Sequence, residues 1–421
     1  MKSIKRMFFV IMFLFVGLVM VSCGGSEEEG MKIKVWTSEI KGVDKLTETQ
    51  IKRYAEEKGV KISLEVVGMG EKSAPSQLMR DVENGPDLFF FAQDQLARLV
   101  QVNVITRLNA EATSKLKAEH DESSLMAATI NEKLWAFPVT NDNSFVMFYD
   151  KRVVKEEHLG SLEDIIADCQ EAKKKISFNL ENEGGWYNAS FFFATGCESS
   201  WEISREGTFE SYKDNFNSDK GLIALRGMQK LLKATYSEGG SEIPLWNDSA
   251  DVDNFNAAMP SAVVFSGTWK SKEAKALLGD NFGVAELPSF TVDGTSYHLN
   301  TFRGSKLLGI KKQTDATKLS FLLELAQYLS GEECQLERFL EFGWGPSNKA
   351  AQKNEKVVAD EVLQSLNKQY AHAVIQGQIP ANWWTSAEAY VTVAKNSNYD
   401  DVAALKKALD DYEKQLSTML G

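Results

Sequence analysis

Gly85-Pro86-Asp87-Leu88-Phe89-Phe90-Phe91-Ala92-Gln93-Asp94 is the stretch on which the reading of this chain turns. A Gly-Pro turn runs into an apolar burst too short and too uniformly apolar for a one-faced surface strand, so it reads as a buried parallel strand. In an open α/β sheet, ligands meet the chain just beyond the carboxyl ends of the strands. Phe91, Gln93 and Asp94 fall there. An aromatic face followed by an amide and a carboxylate suits a polyhydroxylated ligand. The competing reading keeps Phe89 to Phe91 in the core and makes Asp94 a helix cap.

Upstream, Lys32 to Trp36 alternates as a first strand and delivers the polar loop Thr37-Ser38-Glu39-Ile40-Lys41-Gly42 to its carboxyl end. A helix is predicted from Asp44, with Leu46, Ile51, Tyr54 and Ala55 at helical spacing, stopping at Gly59. Val60 to Val67 is a second strand. The loop after it, Gly68-Met69-Gly70-Glu71-Lys72-Ser73, lacks the Gly-Lys pair of a phosphate loop and is discounted. Helices follow over Gln77 to Glu83 and through Leu96, Leu99 and Val100. This alternation of strand and helix marks an α/β sheet with parallel strands.

Downstream, Lys133 to Val139 and Phe145 to Tyr149 read as strands flanking a polar patch, Thr140-Asn141-Asp142-Asn143-Ser144, where one lobe passes to another. Ser161-Leu162-Glu163-Asp164 resembles a capping box that opens a second α/β unit. Ile176 to Leu180 is a short strand, Glu181 to Tyr187 a loop carrying Trp186 and Tyr187, and Phe191-Phe192-Phe193 packed core. Ser261 to Ser266 is a buried strand feeding Gly267-Thr268-Trp269, a glycine turn that sets an indole beyond a strand end. A second crossing is expected over Ala285 to Pro288. Ser305 to Lys311 returns as a strand, Lys318 to Leu329 is an amphipathic helix, and the rest is mostly helical. Gly343-Trp344-Gly345-Pro346 and Ile379-Pro380-Ala381-Asn382-Trp383-Trp384 are expected loops within it.

At the amino terminus Lys2, Lys5 and Arg6 precede an apolar run, Met7 to Val21, short of the ~20 residues a membrane span needs. A basic start, an apolar middle and small residues before the break mark a secretory signal, as against an uncleaved anchor. Met20-Val21-Ser22-Cys23 resembles a bacterial lipobox, with cleavage before Cys23 and lipidation of that cysteine; Met20 stands where leucine is usual. Gly24 to Gly30 is a charged tether. The formal net charge is −12, and loss of Lys2, Lys5 and Arg6 takes it to −15, a surface that argues against nucleic acid as a partner. Cys169, Cys197 and Cys334, and His120, His158, His298 and His372, are scattered, which predicts neither a disulfide framework nor a metal site. No cofactor is expected.

Nearly all of the chain after the tether resembles the bacterial extracellular solute-binding proteins of ABC importers, carbohydrate type, the maltose-binding-protein family. The resemblance rests on Val35-Trp36 with Lys41-Gly42, Gly85-Pro86-Asp87 with Ala92 and Asp94, and Trp135-Ala136-Phe137-Pro138. Further on it rests on Phe178-Asn179-Leu180, Ser266-Gly267-Thr268-Trp269, and Phe282-Gly283-Val284 with Leu287-Pro288. It implies a two-lobe periplasmic-binding-protein-like (type II) α/β fold with hinge strands and a ligand cleft between the lobes. Residues 1–22 are then signal peptide and 23–30 lipidated tether. One lobe takes 31–141 and 289–331; the other takes 142–288 and 332–421. It also implies a monomer that hands a mono- or oligosaccharide to a membrane permease.

Carried over residue by residue, Lys41 and Asp94 match sugar-bonding positions, Phe91 and Trp269 match stacking tryptophans, and Trp186 or Tyr187 falls near a stacking tyrosine. Asp142 or Asn143 matches an acidic contact. Ile40 stands where an acidic residue is usual, with Glu39 beside it, and Ser386 aligns with a third aromatic, with Trp383 and Trp384 just upstream. The physics agrees: aromatic rings cover the C–H face of a pyranose while carboxylates and amides take its hydroxyl rim. Nine tryptophans supply the rings, several of them core.

One rival belongs to another class and a second keeps the fold but changes the cargo. A lipid-anchored glycoside hydrolase needs two carboxylates about 5–9.5 Å apart across the bond; Asp94 and Asp142 are the candidates, with no hydrolase motif beside them. The same fold holding a polyamine or peptide also uses aromatics and carboxylates, although Lys41 is an unwelcome neighbour for a cation. The sequence favours a binder over an enzyme.

Overall fold

The computed structural model describes residues 30–182 and 184–420; the expected signal segment and most of the tether, with Cys23, lie outside the described residues. Strand β1 (Met31–Thr37) buries Ile33 and Val35 and leaves Lys32 in solvent, as its alternation requires. β2 (Ile62–Gly68) and β3 (Leu88–Ala92) run parallel to β1 on its two sides, with Val35 opposite both Val66 and Leu88. Helix α1 (Val43–Glu57) packs on β1 and β2, burying Val43, Ile51, Tyr54 and Ala55 along one stripe. Gly42 precedes it with φ +96° and Gly59 follows it with φ +65°, left-handed conformations that stop helix propagation at both ends.

The remaining strands of the two large sheets are β4 (Phe137–Pro138), β5 (Phe145–Asp150), β6 (Lys175–Ser177), β7 (Trp246–Asn247), β8 (Ser261–Gly267), β9 (Phe282–Ala285) and β10 (Lys306–Ile310). The first sheet has the order β2-β1-β3-β10-β4 and the second β7-β6-β8-β5-β9. Both are mixed rather than all-parallel. β10 is antiparallel to β3 and β4, and β5 is antiparallel to β8 and β9. In each sheet the reversed strand is the one that enters from the other lobe. The result is the two-lobe α/β architecture expected from the sequence.

The crossings depart in part from expectation. The first lies between β4 and β5, at the polar patch foreseen for it. The second is not at Ala285 to Pro288. After β9 a hairpin, Ser289–Val292 with Thr295–His298, stays on the second lobe: Phe290 meets Phe191 at 5.3 Å, and the Thr291 N–H donates to Glu163 of α2 (Leu162–Ala172) at 2.8 Å. The chain then crosses at Thr301 to Ser305, alongside the first crossing, where the Ser144 hydroxyl meets that of Thr301 at 3.0 Å and the Asn143 N–H donates to Gly304 at 3.1 Å. The hairpin, expected with the first lobe, therefore belongs with the second.

Four helices complete the picture. α3 (Gly185–Ala194) begins where a loop was expected, so Trp186 and Tyr187 ride on its first turn while Phe191, Phe192 and Phe193 are core as read. Its Gly185 admits the backbone of a later helix: a β-carbon there would lie 2.4 Å from the Trp384 carbonyl oxygen. α4 (Ala316–Leu329) is capped by Asp315. α5 (Glu332–Phe342), expected with the second lobe, packs on the first, because Glu337 pairs with Arg53 at 2.7 Å and Gln335 donates to the Pro138 carbonyl at 3.1 Å. α6 (Ala381–Ser386) turns part of an expected loop into helix.

Candidate ligand-binding cleft

Loops at the carboxyl ends of β1, β2 and β3 face the end of β8 and the first turn of α3 across the join of the lobes. Glu39 and Lys41 are exposed in the first loop. With Trp269 and Phe342 they line a cavity of about 860 Å³. Glu39 leans on the second loop, its carboxylate 3.1 Å from where a β-carbon of Gly70 would sit. Trp269 follows β8 and is half-buried, tilted 37° against Trp186 with ring centroids 6.0 Å apart. Tyr187, mostly buried, packs on Phe145 at 4.8 Å and lines a smaller cavity of about 380 Å³ with Asp248 and Trp269.

Asp94 lies on the turn directly after β3, 5% exposed. Its carboxylate accepts from the Gln95 amide at 2.5 Å and the Gln376 amide at 3.3 Å, and from the Trp384 indole N–H. Arg98 holds Gln95 from behind at 2.9 Å. Burial raises its pKa to about 6 against the pull of Gln95, Trp384 and Arg98. The Gln376 side-chain oxygen accepts from the Trp186 indole N–H at 3.3 Å, so one glutamine links Asp94 to the pair of tryptophans. Gln93, Gln376 and Asn143 converge over Gly304, where a β-carbon would come within 2.9 Å of the Gln376 oxygen. Asn143 thereby belongs to the polar floor.

Three expected ligand residues are structural instead. Phe91 is fully buried, 5.3 Å from Phe89 and opposite Leu307, because β3 runs on through Ala92 and both faces of the strand are covered. Asp142 is 2% exposed and committed to the crossing: it accepts from the Gly345 N–H at 2.6 Å, while Thr268 donates to its backbone carbonyl at 2.8 Å. Burial raises its pKa, with Lys306 and the Gly345 N–H opposing. Trp383 is 1% exposed, its indole donating to Tyr412 at 2.9 Å, whereas its neighbour Trp384 turns outward to Asp94.

The structure adds residues the sequence did not single out. Lys306, at the start of β10 and 5% exposed, pairs with Glu71 at 3.2 Å and sits over the rings of Trp344 at 4.3 Å and Trp269 at 5.0 Å. It thus bridges the first sheet to an indole of the second lobe. Glu71 comes from the loop discounted as a phosphate loop, yet that loop sits at a strand's carboxyl end, the position that flagged Asp94. Gln376 carries no local signal.

Two α/β lobes thus meet at a cleft that carries aromatic rings and carboxylates at the strand ends. Residues 49–365 match the model of the bacterial extracellular solute-binding protein family, and the chain belongs to that family. The maltotriose-binding protein of Pyrococcus abyssi (strain GE5 / Orsay) is 19% identical over 354 residues, 80% of this chain and 71% of that protein. Among solved structures, the maltodextrin-binding protein MalE1 from L. casei BL23, without ligand, superposes with a TM-score of 0.75 at 18% identity, covering 92% of this chain and 99% of its own. The Thermus thermophilus maltotriose-binding protein bound with maltotriose gives 0.72 at 19% identity, covering 91% and 100%. Among the described residues no helix is long and apolar enough to cross a membrane.

Proposed function

We propose that the cleft binds a linear oligosaccharide of the maltooligosaccharide class and that the protein, anchored through lipidated Cys23, hands it to an ABC-type permease. The observation that carries this reading is the pairing of Trp186 and Trp269, half-buried rings 6.0 Å apart, with Asp94 joined to them through Gln376. Rings take the C–H faces of successive pyranoses; the carboxylate and amides take hydroxyls. The relatives whose names specify maltotriose or maltodextrin support the sugar class. A cationic cargo is disfavoured because the Lys306 ammonium already occupies the Trp269 face. A hydrolase is disfavoured because Asp142, the second carboxylate it would use, is tied to Gly345.

Calorimetry with maltotriose and maltotetraose, with cellotriose as control, tests the proposal. Saturable binding of the first two, weakened in Trp186→Ala and Trp269→Ala, is expected; no binding of either would sink it. Product analysis after incubation separates binder from enzyme. Cys23→Ser should release the protein from the membrane fraction, and a variant still processed and retained there would remove the anchor from the proposal.

A further inference from the structure

Folding brings together three groups that the sequence holds far apart: Glu286, His298 and His372, with one potential ligand atom from each lying within 4.8 Å of the others. Glu286 follows β9, His298 ends the hairpin, and His372 precedes the short strand Ala373–Ile375. The two imidazoles stack with centroids 3.8 Å apart and planes 19° from parallel, so a shared ion requires one ring to turn about its side-chain bonds until both planes meet at the ion.

The hydrogen bonding of His298 fixes which nitrogen is free. Its Nδ1 lies 2.9 Å from the Leu299 carbonyl oxygen, which can only accept, so in the neutral ring Nδ1 carries the hydrogen and Nε2 presents a lone pair. That nitrogen faces the Glu286 carboxylate at 3.9 Å. Two electron-rich atoms thus oppose each other at a distance too long for a direct hydrogen bond. At the tetrahedral angle a cation about 2.0–2.2 Å from each would hold the two ligand atoms roughly 3.3–3.6 Å apart. The observed separation is wider by a few tenths of an ångström, which a movement of the Glu286 side chain closes. An imidazole N–H donated to a backbone carbonyl is also the usual support of a metal-bound histidine.

The backbone beneath these groups is held by one fully buried side chain. Gln369 accepts from the Leu287 N–H at 2.7 Å and donates to the carbonyls of Leu299 at 2.9 Å and His372 at 3.3 Å. It touches the chain at or beside each of the three residues. The side chains themselves keep 22% exposure at His298 and 38% at Glu286, enough for an ion to enter and for Glu286 to swing in.

We propose that Glu286, His298 and His372 form a binding site for a late first-row divalent cation, of the zinc class. Two imidazoles and a carboxylate are the donors such ions prefer, and three protein ligands leave a fourth position for water. Bound metal would pin His372, four residues before Gln376, and so stiffen the segment that reaches Asp94. The site stands apart from the sugar proposal and is tested without it.

The experiment uses the full chain, prepared without a histidine tag, extracted in detergent and stripped with chelator. Titration with cobalt(II) should saturate at one ion per chain with the visible d–d bands of a four-coordinate site, and zinc should displace it. His298→Ala and His372→Ala should each weaken binding at least tenfold, Glu286→Gln several-fold, and His158→Ala not at all. Melting of the metal-free variants shows whether they remain folded, and zinc anomalous scattering from crystals of the unaltered protein locates the ion independently of any variant. Absence of a saturable site, an anomalous peak elsewhere, or tight binding that survives both histidine changes would overturn the proposal.

Discussion

The indole of Trp269 lies back on Gly267: a β-carbon at Gly267 would stand 2.3 Å from ring carbon Cζ2. The glycine is there for its missing side chain, since its φ of −60° is open to any residue. Gly267→Ala should push the ring off its seat and cost affinity for oligosaccharide. Trp269→Ala removes the ring outright, and central aromatics typically lose roughly 2 kcal/mol or more on truncation, or more than about tenfold in Kd at 1.4 kcal/mol per decade. Because both changes act through one ring, the double variant should bind no worse than Trp269→Ala. Additive losses by calorimetry would separate glycine from indole.

Adjacent tryptophans give the second prediction. Trp383→Ala opens a cavity in the second lobe and strips a partner from Tyr412, which itself donates to Asp214 at 2.7 Å. It should cost about 3–5 kcal/mol of stability, while Trp384→Ala should weaken sugar binding and shift the melting temperature little. Reversal of that pattern would exchange their roles.

Most of the fold was legible because its signal is local. Ile33 and Val35 alternate, Val43, Ile51 and Tyr54 repeat at helical spacing, and Ser161 caps its helix by accepting from the Asp164 N–H as read. The site was legible only where a strand end and a special residue coincide, as at Gly267-Thr268-Trp269 and at Asp94. Phe91 was misplaced because β3 continues through Ala92, so Phe91 lies within the strand and not beyond its end. Nothing local distinguishes Trp383 from Trp384; facing Tyr412 or Asp94 is decided by elements far along the chain. Asp142 looked like a ligand group because Gly345, its partner, lies 203 positions away.

Lys306 supplies the third prediction. Its ammonium and the Glu71 carboxylate are 6% and 15% exposed. Lys306→Met leaves Glu71 buried without its cation, which should destabilise by about 3–5 kcal/mol. Adding Glu71→Gln should restore most of that loss. The single variant also frees the Trp269 face from the first sheet, so small-angle scattering should show a more open particle without ligand. An unchanged melting temperature in Lys306→Met would mean that the pair is not a tie.

Asp94 links stability to pH. Its folded pKa, about 6, stands above the unfolded value of about 3.9. Between those values the folded chain holds more protons, so stability falls as pH rises through that window, by up to about 3 kcal/mol. Asp94→Asn should therefore melt higher than the unaltered protein at pH 7.5 and lose that advantage at pH 4. Binding runs the other way. Sugar hydroxyls donate to the ionised carboxylate and favour it, so oligosaccharide binding should release a proton near pH 6. Affinity should then fall by up to about tenfold per pH unit below that point. Calorimetry in two buffers of different ionisation heat reads the proton directly, and Asp94→Asn should abolish it. Affinity that stays flat from pH 7.5 to 5 would take Asp94 out of contact with the ligand.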